Sequence, residues 1–301
     1  EINLSKKSEV ERNFYNDFEE NNFITLRTVA SKKDAFFNLV IHKETLSIFM
    51  MKKVIGGNIQ HEKEFCEKYS HRCMTHFYGF LKKDNNIIGF IYEFQSNGPL
   101  SSYKHNNELF SIITIIRLYE CLEYLQSKSL IHRDLQPSNI LINHDNLPFI
   151  SDFETIRPVK IKHQKDEPMT NDIGSILYSS PEQDNGEKIS YATDIYSFGL
   201  IIYFLKENKD MFESYESKSK GEIKPITKCS PDIKKIYERC IQPKQSKRMN
   251  ISEIKKYLNN EINSFLYYEE YLIQRMNNEN NSITQIIELI FEQISHQETK
   301  D

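Results

Sequence analysis

The sequence predicts an α+β protein of two lobes, a small β-rich lobe followed by a larger, mainly helical one. Three observations carry this. Between residues 23 and 55 short runs of β-branched and aromatic residues alternate with polar breaks. From Ile112 onward apolar residues recur at helical spacing in a stretch without Gly or Pro. Residues 194–205, "DIYSFGLIIYFL", are so apolar that a helix there is buried nearly all round, the kind of element a lobe is built on.

Taken in order, "FITLRTVA", "AFFNLVI" and "LSIFMMKKVI" read as strands separated by "SKKD" and "HKET". "GGN" at 56–58 breaks the sheet, and "IQHEKEFCEKYSH" has helical composition. "HFYGFLKK" and "IIGFIYEF" pair as a hairpin across "DNN". After "QSNGPL" a helix carries Ile112, Ile115, Ile116, Tyr119, Leu122 and Leu125. "LINHDNLPFISDFETIRP" at 141–158 reads as two short strands joined by a turn. Near the C-terminus "SITQIIELIFEQI" reads as one more amphipathic helix, for lobe packing or self-association, and no internal repeat is found.

With 301 residues, 39% of them hydrophobic, the chain can fill one large domain or two packed lobes. A balance of 39 basic against 43 acidic side chains gives a formal charge of −4 and no general field for nucleic acid or an anionic membrane. Cys66, Cys73, Cys121, Cys229 and Cys240 are odd in number and lack metal spacing, which points away from a disulfide framework and toward a reducing compartment. The first residues carry no signal-peptide core, and the longest strongly apolar run, "FGLIIYFL", is far short of a membrane span. The expectation is a soluble, cytoplasmic protein with neither nucleic acid nor membrane as partner. The chain opens on Glu1 rather than Met, which leaves it open to being a fragment.

The chemistry concentrates in "IHRDLQPSNILI" at 131–142, where Asp134 and Asn139 stand five residues apart in a polar loop between a long helix and a strand, and in Asp152, thirteen residues after Asn139. Asp or Asn alone in a loop is usually a turn former. Three base-capable or metal-capable groups around one hairpin are a much less common combination.

Four segments then fall in a familiar order: "HRDLQPSN", "SDFE", "YSSPE" at 178–182 and "TDIYSFG" at 193–199. With these the chain resembles the eukaryotic protein kinase family, in its Ser/Thr or tyrosine-kinase-like subgroup, over roughly residues 23–260. The resemblance implies the bilobal protein kinase fold: an N-terminal extension at 1–22, an N-lobe at 23–93 with one helix, a hinge at 93–98, a helical C-lobe at 99–260 and a C-terminal helical extension at 261–301.

The resemblance also assigns roles. Asp134 would be the catalytic base, and Asn139 and Asp152 would hold Mg2+, a hard ion that takes oxygen ligands. Lys52, in "FMMKKV", would reach the nucleotide phosphates and pair with a helix glutamate, Glu62, with Glu64 as competitor. Phe37, Met50, Tyr92 at the gatekeeper position, Glu93 at the start of the hinge and Leu141 would complete the ATP site. Glu182 and Arg248 would form a buried ion pair, and Asp194 would bond to catalytic-loop backbone. Arg133 would pair with a phosphorylated side chain, for which Thr170 and Ser175 are candidates, Ser175 also matching the family's acceptor-side Ser/Thr position.

Departures from the family pattern are equally specific. "ASKKDA" at 30–35 stands where a GxGxxG loop covers the phosphates, with Lys32 and Lys33 as compensating charges or as solvated turn residues. Met50 and Phe37 enlarge positions that usually hold alanine and valine. Gln136 replaces a lysine, and Glu154 stands where a glycine permits the metal-binding segment to switch; it restricts the backbone and adds negative charge near Mg2+ and phosphate, though its carboxylate can still face solvent. The function implied is an ATP- and Mg2+-dependent protein serine/threonine kinase with protein substrates and a regulatory protein partner. The alternative is a pseudokinase, a binding module with weak or no turnover. A small-molecule kinase of related fold is disfavoured by "YSSPE" and "TDIYSFG".

Overall fold

The computed structural model describes residues 16–56, 59–104, 107–159, 173–227 and 229–259. Strands β1 (Asn16–Glu19), β2 (Phe23–Lys32), β3 (Ala35–His42), β4 (Ile48–Val54), β5 (Phe77–Lys83) and β6 (Asn86–Glu93) form one sheet in the order β1-β5-β6-β4-β3-β2. All neighbours are antiparallel except β1, which lies parallel to β5. The sheet therefore takes in residues ahead of the boundary at 23 that strand patterning sets. "NDFE" carries a single apolar side chain, Phe18, too little alternation to register as a strand.

Asp84 and Asn85 close the β5–β6 turn with φ of 51° and 63°, the left-handed pair that a two-residue hairpin favours and that Asp and Asn tolerate. One face of the sheet buries Phe23, Val40, Met51, Leu81 and Ile91. Between β4 and β6, Gly89 is obligatory: a Cβ there would stand 2.1 Å from the backbone oxygen of Lys52. Helix α1 (Gln60–Lys68) buries Glu62, Phe65 and Cys66, one helical stripe at i, i+3 and i+4.

Beyond β7 (Gly98–Pro99) the chain becomes helical with α2 (Glu108–Ser127), N-capped by Asn107, whose side chain accepts from Leu109 N at 2.8 Å. Short strands β8 (Leu130–Ile131), β9 (Ile140–Ile142), β10 (Pro148–Ile150) and β11 (Arg157–Pro158) follow; β9 pairs with β7 and β10, and β8 with β11. Then come α3 (Ile173–Tyr178), α4 (Pro181–Asp184), α5 (Tyr191–Glu207), α6 (Tyr215–Ser219) and α7 (Pro231–Cys240), and residues 251–259 are helical.

As its composition requires, α5 is the buried axis of this lobe, and Gly199 lets α7 lie against it: a Cβ would come within 2.7 Å of Ile241 and 2.8 Å of Cys240. Ser190 and Ser230 cap α5 and α7. Among the described residues no helix is long and apolar enough to cross a membrane. The expected helix over "SITQIIELIFEQI" and the candidate Thr170 lie outside the described residues.

Candidate active site

Period two along β4 turns Met50 and Lys52 to one face and Met51 and Lys53 to the other. Met51 enters the sheet's core, and Lys53 pairs with Glu20 on that side. Lys52 is therefore turned to the opposite face, toward Glu62 of α1, where it is almost fully buried. Its ammonium lies 2.6 Å from Glu62, 3.0 Å from Glu154 and 3.9 Å from Asp152. Burial alone disfavours the charged amine, but Glu62, Asp152 and Glu154 outweigh it and hold its pKa above the ordinary lysine value. Glu62, not the exposed Glu64, is the helix partner.

Asp152 is aimed by its neighbour. The Phe153 ring is buried against Phe65 of α1, with centroids 4.9 Å apart, and edge-on to Tyr92 at 5.9 Å. Asp152 takes φ 64°, a left-handed conformation that Asp accepts more readily than most residues. Burial works against its carboxylate, but Lys32 and Lys52 beside it draw the pKa down to about 2. Glu154 begins no left-handed turn of its own: it sits in the short 3-10 segment Phe153–Thr155 and is not among the described residues with positive φ, so this conformation asks for no glycine there. Its carboxylate does not only face solvent, as the sequence allows. Although half exposed, it accepts a hydrogen bond from the Lys52 ammonium at 3.0 Å, beside the one that Glu62 accepts.

The loop after β8 is built on Asp194 from α5, which accepts backbone N–H bonds from His132 at 2.7 Å and Arg133 at 2.9 Å. These bonds hold Arg133 at φ 75°, a strained conformation of the kind that clusters at functional sites. Asp134 then receives the side-chain amides of Gln136 at 2.9 Å and Asn139 at 2.8 Å, one on each carboxylate oxygen. Asn139 also donates to Asp134 O at 2.9 Å, so its amide nitrogen is spent on Asp134 and its carbonyl oxygen is left for another ligand. Gln136, in the place of a lysine, thus stabilises Asp134 by a neutral hydrogen bond and brings no positive charge.

A divalent cation fits this donor set. Asp152 is held ionised, Asn139 offers an amide oxygen, and both are hard ligands. Among the described residues no group of three His, Cys, Asp or Glu is disposed to hold a metal unaided, so such an ion would complete its shell with nucleotide oxygens and water.

The other residues expected from the sequence lie on several different elements. Phe37 and Met50 are half-buried on neighbouring strands, with the Lys52 ammonium 5.8 Å from the Phe37 ring centre. Tyr92 is buried, Glu93 is half-buried where β6 ends, and Leu141 is half-buried on β9. Glu182 and Arg248 form a bidentate pair at 2.7 and 2.8 Å, both side chains essentially inaccessible. Gln183 Nε2 donates to Arg133 O at 2.8 Å, tying α4 to the loop. Ser175 lies on α3.

Besides the Glu154–Lys52 contact, two relationships escape the sequence reading. The Tyr92 hydroxyl donates to Glu62, and the Lys32 ammonium reaches Asp152 at 2.6 Å across 120 positions of chain. The first has no local signal; the second was visible only as an unusual pair of lysines in a glycine-free hairpin.

Compared with known proteins, the chain matches the family model "Protein kinase domain" over residues 19–258. It is 29% identical over 61% of its length to a "probable LIM domain-containing serine/threonine-protein kinase" of Dictyostelium discoideum, of which the match covers 30%. It is 27% identical over 65% of its length to an Aurora kinase of Debaryomyces hansenii, covering 50% of that protein, and to a RAF proto-oncogene serine/threonine-protein kinase of Xenopus laevis, covering 32%. The chain thus spans half or less of the length of these relatives.

Proposed function

The chain belongs to the protein kinase domain family, and from that premise we propose that it is an ATP- and Mg2+-dependent protein serine/threonine kinase. The observation that carries the reading is the closed Lys52–Glu62 pair beside Asp152, together with an Asp134 whose two oxygens are oriented by Gln136 and Asn139.

In this reading Asp134 orients the hydroxyl of a protein Ser or Thr and takes its proton as the oxygen bonds to the γ-phosphorus and the bond to the departing ADP oxygen breaks. Lys52, fixed by Glu62, neutralises phosphate charge without having to reorganise at the moment of transfer. Asp152 and the carbonyl oxygen of Asn139 would hold Mg2+, which when bound would supply charge neutralisation to the phosphates. Phe37, Met50, Tyr92, Glu93 and Leu141 surround the nucleotide's base, and Ser175 lies on the acceptor side. Arg133 is the cation for a phosphate on the segment that contains Thr170. The buried free thiols Cys66, Cys73, Cys121 and Cys240 agree with a cytoplasmic setting.

The test is transfer of label from ATP to a generic Ser/Thr substrate in Mg2+, for the natural chain, Asp134→Asn and Asp152→Asn. Incorporation that both substitutions abolish supports the kinase reading; equal signal in all three overturns it. A second reading, a pseudokinase, is favoured by one observation: Glu154 gives Lys52 an extra carboxylate, charge that would otherwise be directed at phosphate. It predicts no incorporation above the Asp134→Asn background.

A further inference from the structure

The geometry points to Lys32 as a second phosphate-binding cation, which occupies Asp152 in the nucleotide-free chain and transfers to the nucleotide's phosphates when ATP binds, freeing that carboxylate for a divalent ion; the inference rests on the kinase reading above. In that reading something must cover the phosphates, and the β2–β3 hairpin cannot do so with its backbone. Its strands pair to the very tip, Lys32 opposite Ala35 and Ser31 opposite Phe36, and Asp34 O is taken by Ile55 N and Gly56 N at 2.9 and 3.3 Å. No glycine is present to let backbone N–H groups turn toward an anion. A positive charge at this edge must come from a side chain.

Lys32 is placed to supply it. Its ammonium lies 2.6 Å from Asp152 Oδ2, while Lys52 approaches Oδ1 of the same carboxylate at 3.9 Å. Both ammonium groups stand over one ring, Phe37, at 5.7 and 5.8 Å from its centre. The enlarged Phe37 thus acts as a shared platform that brings a second cation beside the first. The two differ in freedom: the Lys52 side chain is 3% exposed and fixed, whereas that of Lys32 is 46% exposed and can swing. Lys33, one residue on, is exposed in the turn and serves as control.

This exchange gives two effects of opposite sign. Calorimetric titration of the full chain with ATP, in EDTA and separately across a Mg2+ series, reads both. Lys32→Ala should weaken metal-free ATP binding about tenfold or more. It should also lower the Mg2+ concentration needed to reach half of the maximal ATP affinity, because Asp152 is no longer held by an ammonium. Lys32→Arg should retain the metal-free binding, and Lys33→Ala should change neither quantity. A hairpin lysine with a merely structural role would not move the two in opposite directions. If the natural chain binds ATP but Lys32→Ala binds it equally well in EDTA, the Lys32 assignment is overturned and the kinase reading stands. If the natural chain binds no ATP under either condition, both fall.

Discussion

The hydroxyl of Tyr92 donates to Glu62 Oε1 at 2.8 Å, while the other oxygen of that carboxylate accepts from Lys52 at 2.6 Å. Tyr92, on β6, therefore braces the helix glutamate through the oxygen that Lys52 does not take. The Cys66 thiol, one helical turn from Glu62, stands 3.2 Å from the same hydroxyl. Tyr92→Phe removes this brace without changing the packing of the ring on Phe153. We expect a loss of about 1 kcal/mol of stability, read as a lower melting temperature, and a several-fold fall in kcat with nucleotide affinity nearly unchanged.

Glu154 tests whether its carboxylate restrains the lysine. Glu154→Gln preserves size and backbone but removes the charge beside Lys52. Because the side chain is 48% exposed, the effect should be modest, roughly two- to fivefold tighter ATP binding by calorimetry. Weaker binding would mean that Glu154 instead helps to hold the cation at Asp152.

The Glu182–Arg248 pair should matter to stability before chemistry. Removing either partner strands a buried charge, so Arg248→Met and Glu182→Gln should each cost about 3–5 kcal/mol in urea denaturation. Thr193, which donates to Glu182 at 2.9 Å, is not able to replace the guanidinium. The double variant should recover part of the loss, since it leaves no uncompensated charge.

The acid limb of stability should carry a histidine component. His71 stacks on Tyr124 at 4.7 Å and accepts a hydrogen bond from Cys73 N at 3.3 Å, which requires a neutral ring. Burial, with Arg72 and Arg117 nearby and against the pull of Glu120 and Glu123, lowers its pKa from 6.5 to about 4. The unfolded chain therefore takes up a proton through this window while the folded one does not, so stability is full above pH 6.5 and falls as pH drops toward 4. Melting temperatures of His71→Gln across that range should show a shallower decline than those of the natural chain.

Much of this was legible because the informative features are local. The glycine-free hairpin, the Asp134–Asn139 loop and the apolar α5 each declare themselves within a few residues of sequence, and order along the chain did the rest. What resisted reading were contacts between distant elements: Lys32 with Asp152, Glu154 with Lys52, and Tyr92 with Glu62. Each joins side chains whose separate patterns are ordinary, a turn lysine, a loop glutamate and a strand tyrosine. Only the closure of the sheet over the loop at 151–154 brings them together. Strand β1 was missed for a different reason, since its pairing partner rather than its own sequence makes it a strand.

That strand has a consequence for handling the protein. By lying along β5, β1 occupies hydrogen-bonding groups that would otherwise face outward, and Asp17 fixes it through Lys82 at 2.5 Å. Phe18 adds a ring against Phe23, His42 and Phe49. A chain trimmed to begin at residue 23 would present β5 as a bare template for another strand, the usual route to edge-to-edge aggregation. Poor solubility of such a trimmed protein would reflect a lost cover on the sheet and not an incomplete fold.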